Sequence, residues 1–157
     1  MRGGALALDT SDYQLVWQGL GQGLRVLVLK KRRDERTFLE EMAADPRRRD
    51  ETGGIVRALR RLLQNGVDWG FESGTLKFLQ GTTDIALYEL KAKAQTYRVM
   101  TYVHGGKVRS PILLCAFRAH QSKQAGGILK QDRERGEELA RIARNLMLAE
   151  EKGDQSD

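Results

Sequence analysis

The sequence predicts an α+β fold: a small antiparallel sheet of about four strands, with two N-terminal helices and a C-terminal helix packed on it. Three observations lead there. The run LRVLVLK (24–30) is apolar on both sides of a period-2 pattern. Between it and residue 66 the apolar residues change to helical spacing. From residue 85 they alternate again, through strands broken by a Gly-Gly pair, before a last amphipathic helix.

Residues 1–23 are expected to form an irregular extension. The glycines of GLGQG (19–23) precede a strand, whereas a phosphate loop needs them between a strand and a helix, so they read as a turn. LRVLVLK should be buried, and KKRRDER (30–36) carries the chain out into solvent. Thr37 and Glu40 stand at capping-box spacing. Phe38, Leu39, Met42 and Ala43 then lay an apolar stripe along a short helix that Pro46 ends. A second helix has Ile55, Ala58, Leu59, Leu62 and Leu63 on one side and Arg57, Arg60 and Arg61 on the other, with Asn65-Gly66 as its stop.

TLKFLQ (75–80) fits a short strand or a turn. In IALYELKAK (85–93), Leu87, Glu89, Lys91 and Lys93 share one face, and Tyr88 and Leu90 the other. TYRVMTYV and VRSPILLCAFR are joined through His104-Gly105-Gly106-Lys107, a hairpin signal. Pro111 cannot donate to a ladder and marks an edge position or a bulge. Leu139, Ile142, Ala143 and Leu146 form the stripe of the last helix, with Glu137 and Arg141 four apart on it. The folded domain is thus expected over 24–148, followed by a disordered polar tail over 149–157.

A chain of 157 residues suits one domain with its own core. Its 40% hydrophobic and 31% charged residues separate it from disordered chains. No apolar run approaches the ~20 residues of a membrane helix. The start MRGGALALDTSD is short and soon acidic for a secretory signal. The single cysteine, Cys115, leaves no disulfide framework and no cysteine-rich zinc cluster. A cytoplasmic chain without a cofactor is the expectation. A net charge of +6 favours a polyanionic partner, or an acidic protein that covers the basic face.

The motifs add a resemblance. Leu87-Tyr88-Glu89-Leu90-Lys91, then Tyr97-Arg98-Val99 with Tyr102, then an apolar strand carrying Phe117 resemble the phage-derived, Gp49-like (HigB-type) branch of the RelE/ParE toxin superfamily. The likeness spans roughly 24–148 by element order as well as by motif. Lys91 stands where that branch carries arginine, and Ala119-His120 where it carries a lysine pair. The resemblance implies a basic toxin of a type II toxin–antitoxin pair that cuts messenger RNA on the ribosome. A sister branch inhibits DNA gyrase instead, and both are held inactive by an antitoxin, here a helix-turn-helix protein; an inactive phage-derived module that only binds RNA or a partner helix is the further alternative.

The residues carry chemistry suited to that expectation. Cutting RNA without metal drives the 2′-hydroxyl onto its own phosphate. The step needs a base, an acid for the leaving 5′-oxygen, and cations around the crowded phosphate. A two-residue loop at Ala94-Gln95 would set Lys91 directly opposite Arg98. Like charges so placed oppose folding, and a phosphate would account for them. The expected roles are Arg98 as phosphate clamp, Lys91 as base or electrostatic stabiliser, and His120 as acid. Lys93, Arg118 and Lys123 would hold backbone phosphates. Glu89 is either an ion-pair partner or a base. Plainer readings stand beside these: solvated strand lysines, an Arg98–Glu89 salt bridge, a strand-end His120, and His104 as a turn flank. Tyr88, Tyr97 and Phe117 read as core, and Cys115 as inert packing.

Overall fold

The computed structural model describes residues 10–21, 23–79, 85–91, 97–105, 112–121 and 130–155, the side chains of 10, 97, 112–121 and 153–155 excepted. In chain order the elements are β1 (Tyr13–Gly21), β2 (Leu24–Lys31), α1 (Phe38–Ala44), α2 (Arg49–Asn65), α3 (Val67–Ser73) and β3 (Leu76–Phe78). There follow β4 (Tyr88–Lys91), β5 (Tyr97–His104), β6 (Ile112–Gln121) and α4 (Lys130–Gln155). The strands form one sheet in the order β1-β2-β6-β5-β4-β3. Neighbours run antiparallel except β2 and β6, which are parallel.

The α+β class holds, but among the described residues the sheet is mixed and has six strands rather than about four antiparallel ones. Both additions lie at its edges. Residues 13–21 are not irregular. They form β1, held by pairing with β2 from Tyr13 opposite Lys31 to Gly21 opposite Leu24. Half-exposed residues and two glycines erase the alternation by which an edge strand is usually read. The turn reading of GLGQG survives at its end, because two residues connect Gly21 to Leu24 and Gly23 takes a left-handed φ of 73°. The polar tail departs from expectation too. α4 runs to Gln155, since Glu150, Glu151 and Lys152 are strong helix formers that stay solvated while extending it.

Each sheet face has its own core. On one side Leu24, Val26 and Val28 of β2 meet Leu39 and Met42 of α1, with Ile55, Leu59 and Leu62 of α2. On the other, Leu27 and Leu29 meet Leu139, Ile142, Ala143 and Met147 of α4. Alternate residues of β2 therefore serve alternate faces, as expected of a strand apolar throughout. At Gly136 a Cβ would come within 2.7 Å of Met100 Cε and 3.2 Å of Leu87 Cδ1, so the missing side chain lets α4 press onto β4 and β5.

The local signals behave as their chemistry requires. Thr37 N–H donates to Glu40 Oε1 at 2.9 Å, and Glu40 N–H to Thr37 Oγ1 at 3.2 Å, closing the capping box. Ile55, Ala58, Leu59 and Leu62 are buried on α2, while Arg57, Arg60 and Arg61 are exposed. That helix stops at Asn65, with Gly66 at φ 90° donating its amide to the Leu62 carbonyl. Ala43, expected in the α1 stripe, is exposed. Pro111, Gly106 and Lys107 lie outside the described residues. No helix among the described residues is long and apolar enough to cross a membrane.

Candidate functional site

Three neighbouring strands build a row at one end of the sheet. Lys91 closes β4 and lies opposite Arg98 on β5. Arg98 in turn lies opposite His120 on β6. Directly opposed residues of an antiparallel pair present their side chains to one face. For Lys91 and Arg98 that is the α4 side, because their strand neighbours Leu90 and Val99 belong to the opposite core, while Met100, two residues from Arg98, belongs to the α4 core. Of His120 and Arg118 the backbone position alone is described. Lys93, Lys123 and the Ala94-Gln95 loop lie outside the described residues. The expected Lys91–Arg98 pairing is present in the register.

Arg98 already has a partner within the protein. Its Nε lies 3.9 Å from Glu89 Oε1, with the two side chains only 21% and 12% exposed. This diagonal pair is the salt bridge that the plainer reading of Arg98 anticipates. Glu89 thus offsets one of two cations that would otherwise stand side by side with little water between them. A phosphate arriving at Arg98 and Lys91 would meet a guanidinium already oriented by a carboxylate.

A bulge shapes the β6 side. Val99 opposes Ala119 while Met100 opposes Phe117, so Arg118 is the extra residue without a partner on β5. Bulges of this kind bend a strand and re-aim the residues beside them. Nothing in the sequence betrays it, since a bulge shows only in how two strands are paired.

The sheet end holding this row also holds a cleft of about 580 Å³ that the sequence does not announce. It lies where the exit of β2 meets α1 and the first third of α4, with Lys31, Arg33, Arg36 and Arg135 in its lining. KKRRDER reads as a solvated loop, and residues 32–36 are indeed exposed. Arg135 joins them only through the fold, so no local signal could have linked the two segments.

His104 is placed far from the row. Tyr102 Oη and His104 Nδ1 are 2.9 Å apart, and His104 Nε2 and Glu151 Oε1 2.8 Å apart. Both ring nitrogens are occupied, Nδ1 within β5 and Nε2 in tying β5 to α4, which is a structural role. Tyr88 stacks obliquely on Phe71 at 5.2 Å and edge-on to Phe78 at 5.7 Å, and Tyr102 packs against the α4 core. Tyr97, Phe117 and Cys115 have no described side chains. Among the described residues no three histidine, cysteine or carboxylate side chains converge as metal ligands do.

No family model, no curated protein and no solved structure matches the chain.

Proposed function

We propose that this chain is the toxin of a type II toxin–antitoxin pair, a ribosome-associated endonuclease of messenger RNA with a RelE-like fold, working in the cytoplasm. The observation that carries the proposal is the cross-strand row, with Lys91 opposite Arg98 and Arg98 opposite His120. From Leu24 onward the order strand, helices, meander and final helix adds support, since the resemblance rests on that order as well as on motif. In this reading Arg98 grips the scissile phosphate, Lys91 stabilises or deprotonates the 2′-oxygen, and His120 protonates the departing 5′-oxygen. Lys93, Arg118 and Lys123 extend the grip to flanking phosphates. Glu89 fixes Arg98 and is the alternative base. An antitoxin of the helix-turn-helix kind would silence the protein by covering this end of the sheet.

The test is induction in a bacterial host with mapping of transcript 5′ ends, repeated with purified chain in a translation extract. New ends in phase with codons are expected. Arg98→Ala and Lys91→Ala should each lower cleavage by about 100-fold or more, the scale on which single charge-stabilising groups act. Circular dichroism would check that the fold survives. Growth arrest that persists in both variants sinks the nuclease mechanism.

A second reading has its own support. Because Arg98 is already engaged by Glu89, the pair also fits a non-nuclease scaffold that inhibits a host protein such as DNA gyrase. In that case supercoiling assays lose activity in the presence of the chain, while transcripts stay whole.

A further inference from the structure

We propose that the cleft between the β2 exit, α1 and α4 is a second nucleic-acid site, which seats the phosphates and a base of the single-stranded RNA next to the stretch gripped by the cross-strand row. The inference rests on the endonuclease reading and adds to it a route for the strand and a new set of residues.

Topology brings the two places together. β2 and β6 are parallel, with Val28 opposite Ala116, so both strands run toward the same end of the sheet. Lys31 lies three residues beyond Val28, and His120 four beyond Ala116, which makes the strand ends level. The cleft therefore opens about two strand spacings from Arg98, or about 10 Å. A strand of RNA leaving the row has only to cross β6 to enter it.

The chemistry of the lining points to a nucleotide chain. Six cationic residues and three acidic ones line the cleft, and the acids are partly spoken for. Asp45 is bridged by Arg47 at 3.2 Å and by Arg48 at 3.8 Å. Lys30 Nζ donates to the Lys31 and Asp34 carbonyls and so shapes the loop. Lys31 and Arg33 have no ion-pair partner among the described residues. Arg135 faces them from α4, with only a half-exposed bridge to Glu138 at 3.4 Å. The cations come from three separate segments, the β2 exit, the turn at Arg48 and α4, which suits successive phosphates better than one compact anion. Between them stand the half-buried rings of Tyr13 and Phe38, which an acidic peptide has no need of and on which a base can stack.

The experiment measures binding of a fluorescein-labelled twelve-nucleotide single-stranded RNA to the full chain by anisotropy, across a salt series. Arg33→Ser with Arg36→Ser should weaken binding about tenfold or more. It should also flatten the plot of log K against log salt by roughly 0.7 for each phosphate that the variant no longer neutralises. Phe38→Leu should weaken binding with the slope unchanged. Arg60→Ser, an exposed α2 arginine outside both places, should match the wild type. An unaltered affinity and slope in the Arg33/Arg36 variant overturns the cleft site and leaves the row untouched. If the wild type binds no RNA, the cleft site falls, while the nuclease reading stands or falls on the transcript ends mapped in the induction experiment. If a poly-glutamate peptide or a free mononucleotide competes as well as the RNA does, the cleft is not a strand site and the proposal is wrong.

Discussion

Thr37 is 2% exposed because its hydroxyl is needed at the mouth of α1. Replacing it with alanine removes the acceptor for Glu40 N–H and should lower stability by about 1 kcal/mol in urea titration. Glu40 carries a pH signature. The backbone hydrogen bond from Thr37, with nearby Arg36 and Lys30, holds its carboxyl below the ordinary 4.5. The side-chain and backbone hydrogen bonds of Arg47 likewise hold Asp45 below 3.8. A depressed folded-state pKa means stability that is complete above the ordinary value and lost as pH falls through the lower one. Urea midpoints should therefore drop below about pH 4.5. Glu40→Gln with Asp45→Asn should flatten that part of the curve, while the glutamine amide oxygen still accepts the Thr37 N–H of the box. Gly21 provides a steric counterpart, because a Cβ there would strike the Leu63 carbonyl, which is backbone and cannot swing away. Gly21→Ala should lower stability by about 1–3 kcal/mol, and a midpoint equal to wild type contradicts the close approach of β1 to α2.

Among the elements, the ones with strong local chemistry were legible in the sequence. The α1 box, the Asn65-Gly66 stop and the α4 stripe each rest on interactions within a few residues, and β2 announces itself by being apolar on both faces. β1 and α3 were not legible, and β3 only as a choice between strand and turn, for one shared reason. Val67–Ser73 is two turns long, Leu76–Phe78 is three residues, and Tyr13–Gly21 hides its pattern among Gln and Gly. Each depends on neighbours that only the folded chain supplies. The continuation of α4 belongs here too. Its last turns are tied to β5 through Glu151 and His104, with the glutamate 51% exposed. Glu151→Ala should cost under about 1 kcal/mol, yet it should speed amide exchange over the final turns of α4. Unchanged exchange there leaves the Tyr102–His104–Glu151 chain without a holding role.

At the scale of the whole molecule, α1, α2 and α3 cover one face of the sheet and α4 the other, so β2 is enclosed between them while the edge strands keep exposed residues. Met100 is fully buried in the α4 core beside Gly136, and Met100→Ala should lower stability by about 2–5 kcal/mol. The candidate site was legible only in part at this scale. Lys91 and Arg98 are seven residues apart across one hairpin, and counting back from an assumed turn was enough to pair them. The Arg118 bulge and the cleft depend on where β6 lies, and nothing near Leu24 says that its partner is Ile112.

That parallel pairing bears on how the chain is made. Leu24 and Ile112 are 88 residues apart, since 112 − 24 = 88. At ribosomal speeds of about 5–20 residues per second, β2 waits on the order of ten seconds for its central partner. For that interval α1 and α2 can cover one face of β2, but Leu27 and Leu29 on the other face and the edge that β6 will take stay bare. Nascent chains halted before residue 112 should therefore clump or recruit chaperones, while those released after α4 has emerged should not.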